Sequence, residues 1–251
     1  MLSTFVTVKY FFMINFLWKA IAQLTDPSLR RVIYLSIFTS LIILGILAAG
    51  IWFLVSLISI ESIPYLTSIR DWMGDWFDWL SSSFYLSFVG VITFLLFPSV
   101  ISLVLGIFFD DIVVSVESRH YPNLPYRRHH SFRDITTYTI GFTCVILMVN
   151  MAAIPLYLIL IFFPPMNLIL FYLINGYLAG REYFDLVGLL RKKPKDLAAL
   201  RKYHRSRIQI AGMLIVLLMT IPFVNLITPV IATAFMVHFY HSLQKIGQTT
   251  H

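Results

Sequence analysis

Two long stretches without a single charge fix what this chain can become. Val32 to Ile60 is 29 residues and Phe84 to Phe109 is 26, and neither contains Asp, Glu, Lys, Arg or His. As a helix the first reaches roughly 43 Å, enough to cross a ~30 Å hydrocarbon core with some tilt. Glu61 and Pro64 stop the first run, and Asp110-Asp111 end the second. The composition agrees. The 251 residues are 59% hydrophobic and only 12% charged, with a mean hydropathy of +0.82, whereas soluble domains carry about 25% charged residues. So few charges cannot keep a soluble surface wetted. The expectation is one all-α integral membrane domain over residues 1–251.

Two further apolar runs are interrupted. Pro155 and Pro164-Pro165 break residues 135–179, and Pro222 and Pro229 break residues 208–237. A proline inside a helix removes a hydrogen bond and clashes with the preceding turn, so "FFPPMN" reads as a bend between two helices. In the fourth run the expected arms, 208–221 and 229–237, both fall short of the ~20 residues a full span needs. These runs are expected to form helical hairpins, shallow or full-depth, that leave from and return to one side; irregular backbone at membrane depth must be buried in protein or line a cavity. Residues 2–24, with Phe5, Val8, Phe12, Phe16 and Ala20 at helical spacing and Lys9 and Lys19 between them, read as an interfacial helix.

Charge bias sets the expected topology. Lys9, Lys19, Arg30 and Arg31 precede the first run, and residues 180–207 carry nine Lys or Arg, while residues 61–83 hold Glu61, Asp71, Asp75 and Asp78 against Arg70. By the positive-inside rule both termini are cytoplasmic and 61–83 is outside. Trp72, Trp76 and Trp79 in that outer loop suit a membrane–water boundary. The charges of 181–207 read as a solvated surface facing lipid.

Most other function classes find no support. No basic stretch is interleaved with aromatics, so nucleic acid is not an expected partner. The chain lacks a G-x-x-x-x-G-K-[ST] loop, G-x-S-x-G, H-E-x-x-H and C-x-x-C. No nucleotide motor, no cofactor and no enzymatic activity are therefore expected. Cys144 stands alone in an apolar run. His120, His129 and His130 lack the spacing of a metal site and read as loop histidines. The runs hold no ionisable residue before His238, which makes a proton relay along them hard to build.

"DPSLRR", at residues 26–31, is the one segment with a chemical suggestion. Asp26 can cap a helix and Pro27 suits its first position. Ser28, Leu29 and Arg30 then offer backbone N–H groups at the positive end of the helix dipole, beside two guanidiniums. Such a start is an oxyanion site. Equally, Arg30 and Arg31 serve as snorkelling topology signals. The residues alone leave both readings open.

The ordered motifs carry a resemblance. "DPSLRR" before a long apolar run resembles the "PG[IL]RR" helix start of the CysZ family of bacterial sulfate permeases. "IPFVNLITPV" at 221–230 is similar to that family's "IPxxNLxxxPV" hairpin, and "INGYLAGREYFDL" at 174–186 resembles the wider etoposide-induced-protein-like membrane family. The resemblance implies two long crossing helices, two hairpins and a homo-oligomer in the bacterial inner membrane, passing sulfate or a related oxyanion inward as a passive channel for cysteine synthesis. It implies that Ser28, Leu29, Arg30 and Arg31 hold the anion, and that Pro155, Pro164, Pro165, Pro222, Asn225 and Pro229 shape the hairpins. Ser28 stands where the family has glycine, which lets an anion come closest to the backbone. The alternative is a membrane scaffold or assembly factor that transports nothing, with lipid as its partner.

Overall fold

The computed structural model describes residues 13–57, 64–124 and 132–248. Among these residues the fold is helical and no strand occurs. Helix α1 covers residues 13–22, and a 3-10 turn, Gln23–Thr25, leads into α2, Pro27–Ser56. There follow α3, Pro64–Met73; α4, Asp75–Ile107; α5, Phe109–His120; α6, Phe132–Leu160; α7, Pro164–Leu189; α8, Pro194–Tyr203; α9, Arg205–Met219; and α10, Val224–Gln248. Residues 2–12 of the expected interfacial helix, Glu61, His129 and His130 lie outside the described residues. The chain forms two compact units, one of Ile33–Phe108 and one of Met1–Val32 with Phe109–His251.

The first of these holds the long uncharged parts of α2 and α4. Both are apolar and mostly exposed, as a surface against lipid must be. Gly74, at φ 59°, turns the chain between α3 and α4, and Arg70 reaches back to Asp78 at 3.1 Å. Trp72, Trp76 and Trp79 are 86%, 73% and 63% exposed, at the polar end of α4 where an interfacial belt belongs.

In the other unit α10 is the centre. Every residue from Val230 to His241 is buried, the pattern of a helix surrounded on all sides. α5, α7 and α9 pack on it, and α6 packs on α7. The third and fourth runs do fold as hairpins. Pro164 and Pro165 take the first two positions of α7, where a missing N–H costs nothing. Residues 220–223 make the second turn, with Phe223 at φ 64° and the Val224 N–H bonded to the Pro222 carbonyl at 2.8 Å. Four described helices are long and apolar enough to cross a membrane: α2, α4, α6 over Thr136–Leu160 and α10 over Val224–Gln244.

Two expectations need correcting. The last arm is not the short 229–237 segment but the 25 residues of α10, with Pro229 inside it. Pro229 sits near the helix start, so it deletes a single internal bond, and the Thr233 hydroxyl caps its carbonyl at 2.8 Å. Nor do the charges after residue 180 form a wholly solvated surface. Asp185 is fully buried, and the Arg191 side chain is 9% exposed. α7 continues past Arg181 to Leu189 instead of stopping at the first charge, because these groups pair inside the fold.

The α7–α9 crossing explains a motif that apolar periodicity overlooks. Gly176 and Gly180 form a G-x-x-x-G pair on α7, and Gly212 faces them from α9. A Cβ on Gly180 would overlap the Ile208 carbonyl, and one on Gly212 would overlap the Gly176 carbonyl. Backbone meets backbone here, the close approach that small residues permit between membrane helices. Replacing Gly212 with Val must push the helices apart at a cost of about 1–3 kcal/mol or more. The expected result is a lowered thermal midpoint in detergent, whereas Gly45→Val, in open space on α2, leaves the midpoint nearly unchanged.

Candidate functional site

The start of α2 has the form expected of a capped helix, with one difference. Asp26 stands in the capping position, and its carbonyl accepts the Arg30 N–H at 2.9 Å. Its carboxylate does not bond the first turn. It reaches instead to Arg119 of α5, with Nη1 to Oδ1 at 2.8 Å. Among the described residues no acceptor pairs with the N–H of Ser28 or Leu29. The Leu29 side chain is buried at 1% exposure and anchors the turn, while Ser28, Arg30 and Arg31 are exposed. Two open amides, a serine hydroxyl and two arginines therefore share one helix start.

α5 holds this start in place. Ser115 and Arg119 lie four residues apart, on one face of the helix. Ser115 meets the Ser28 hydroxyl at 2.6 Å, and Arg119 takes Asp26. One hydroxyl hydrogen serves the serine pair, so the other stays available to a ligand. Glu117, between them in sequence, points elsewhere. Its carboxylate is gripped by Arg191, Nε to Oε1 at 3.1 Å and Nη2 to Oε2 at 2.5 Å, and by His241 Nε2 at 2.9 Å. The carboxylate and the imidazole are each 4% exposed. A buried carboxylate is tolerable only with such bidentate and charge-assisted partners.

Gln23, in the turn before α2, ties the same region to α10. Its amide nitrogen lies 2.7 Å from His238 Nε2 and within 3.2 Å of the His120 ring. Tyr121 reaches His238 Nδ1 at 2.9 Å. Burial first, and then the Glu117 carboxylate, push the Tyr121 phenol above its ordinary pKa, so it stays protonated at neutral pH. His120 is thus the last residue of α5 and part of a polar cluster, not a loop histidine. A separate cluster joins α6, α7 and α8: Asp185 accepts from Tyr138 at 2.8 Å and pairs with Arg201, with Arg181 Nε at 3.6 Å.

A family model described as sulfate transporter CysZ/etoposide-induced protein 2.4 matches residues 16–229. The chain belongs to this family. No curated protein matches the chain. The matched region of this CysZ/etoposide-induced-protein member takes in α2, the open amides, the Asp185 cluster, Glu117 with Arg191, and the turn before α10, while His241 lies beyond it.

The residues singled out for the hairpins are spread widely in this family member. Pro155 lies inside α6, Pro164 and Pro165 open α7, Pro222 and Asn225 flank the turn before α10, and Pro229 is within α10. The Asn225 N–H bonds the Ile221 carbonyl at 3.0 Å. None of these is brought to the α2 start by any described contact. Sequence reading missed Ser115 and Arg119, whose partners lie some 90 positions earlier, and Glu117, whose partners Arg191 and His241 lie far later, since nothing in their spacing marks such contacts.

Glu117 is where loss should cost most. Glu117→Ala removes the carboxylate that both Arg191 and His241 face, and breaking a buried ion pair typically destabilises by about 3–5 kcal/mol. Thermal unfolding in detergent should show a large drop, with Glu117→Gln intermediate because it retains hydrogen bonds but not charge.

Proposed function

We propose that this protein is a passive sulfate permease of the bacterial inner membrane, taking up the oxyanion for sulfur assimilation without a nucleotide motor. What supports the reading is the membership of the family together with the two open amides of Ser28 and Leu29 beside Arg30 and Arg31. The amides and the helix dipole favour an anion at that point. The guanidiniums supply fork-shaped donors matched to the oxygens of a tetrahedral oxyanion. The Ser28 hydroxyl compensates for the side chain that glycine would lack. The hairpins shaped by Pro155, Pro164, Pro165, Pro222, Asn225 and Pro229 flank the pathway, and both termini are cytoplasmic. The working form is a homo-oligomer in lipid, and the chain is not an enzyme.

A second reading has its own support. The contacts of Ser28 with Ser115 and of Asp26 with Arg119 use the helix start for packing, as a scaffold would, with the arginines acting only on topology and lipid.

Sulfate binding to the purified protein separates the two. Wild type should bind sulfate saturably in the presence of excess chloride. Arg30→Ala/Arg31→Ala should abolish binding, and Arg30→Lys/Arg31→Lys should weaken it by about tenfold or more, because an ammonium cannot make the bidentate contact. Binding that is absent from wild type, or equal in all three proteins, overturns the permease reading and favours the scaffold.

A further inference from the structure

A capping aspartate normally folds its carboxylate over the first turn and bonds the N–H of the second or third helical residue. In α2 those residues are Ser28 and Leu29. The carboxylate best placed to occupy the two amides is therefore the chain's own Asp26. It would compete with any incoming oxyanion, both for the N–H groups and by charge repulsion. In the structure it is turned away from both amides and paired with Arg119 at 2.8 Å. The holding arm is fixed independently, one helical turn earlier, by the contact of Ser115 with Ser28. The Arg119 side chain is 57% exposed, against 13% for that of Asp26. Arg119 thus stands at the open side of the pair, between the carboxylate and solvent.

We propose that the Asp26–Arg119 pair sets the anion affinity of the α2 start: Arg119 draws an internal competitor off the Ser28 and Leu29 amides and cancels its charge. This rests on the oxyanion reading of that site. Arg119 is a positioning residue in this account and is not itself an anion ligand. With the pair intact, a sulfate dianion approaches Arg30 and Arg31 with the Asp26 charge already matched by Arg119. Without Arg119, Asp26 caps its own helix and repels the dianion from close range.

The test measures binding of inorganic sulfate to the full-length protein in detergent. Arg119→Gln should weaken binding by about tenfold or more. Asp26→Ala/Arg119→Gln should return it to within about threefold of wild type, because alanine brings neither a charge nor an acceptor to the amides, and Arg119→Lys should stay close to wild type. The double variant also lacks the ion pair, so recovery in it cannot come from restored packing. A purely structural pair predicts that both variants lose binding equally. That result overturns the proposal, as does an Arg119→Gln protein that binds like wild type while Arg30→Ala/Arg31→Ala does not. Wild-type protein that binds no sulfate sinks the site itself, and the role of the pair with it.

Discussion

A carboxylate at 4% exposure in so apolar a protein is the constraint on which the rest depends. Glu117 cannot sit there without Arg191 and His241, and they cannot face one another unless α5, the end of α7 and α10 converge. That convergence fixes α5. With α5 fixed, Ser115 and Arg119 on its neighbouring face determine where α2 begins and where the capping carboxylate points. The chemistry proposed for an exposed helix start is thereby set by an ion pair one helix away.

The same logic explains why α10 is central although it carries two histidines. A helix buried on every side is costly for polar groups unless each finds a partner. His238 has Tyr121 and Gln23, and His241 has Glu117. The glycines of α7 and α9 do the corresponding work without polarity, letting two backbones touch. Polar pairs specify which elements meet, and small residues set how closely.

Much of this was legible from the amino acids. Uncharged runs of 29 and 26 residues announce α2 and α4, and the Pro164-Pro165 pair announces a helix start after a turn. Pro229 misleads, because a proline early in a packed helix costs one bond and does not end the helix. The charges of residues 181–201 mislead too. Their spacing looks like a solvated face, whereas Asp185, Arg191 and Arg201 pair with groups on other helices. The arginines at 30 and 31 could be found locally, since a helix start is a local event. Arg119 could not, because its role exists only once α5 meets Asp26 and Ser28.

The most direct measurement is sulfate flux into proteoliposomes made with the purified protein, with no nucleotide supplied and only a sulfate gradient as driving force. The account predicts saturable entry well above that of protein-free vesicles, and entry near background for Arg30→Ala/Arg31→Ala reconstituted at equal density. Flux indistinguishable from protein-free vesicles, or unaffected by loss of both arginines, would contradict it.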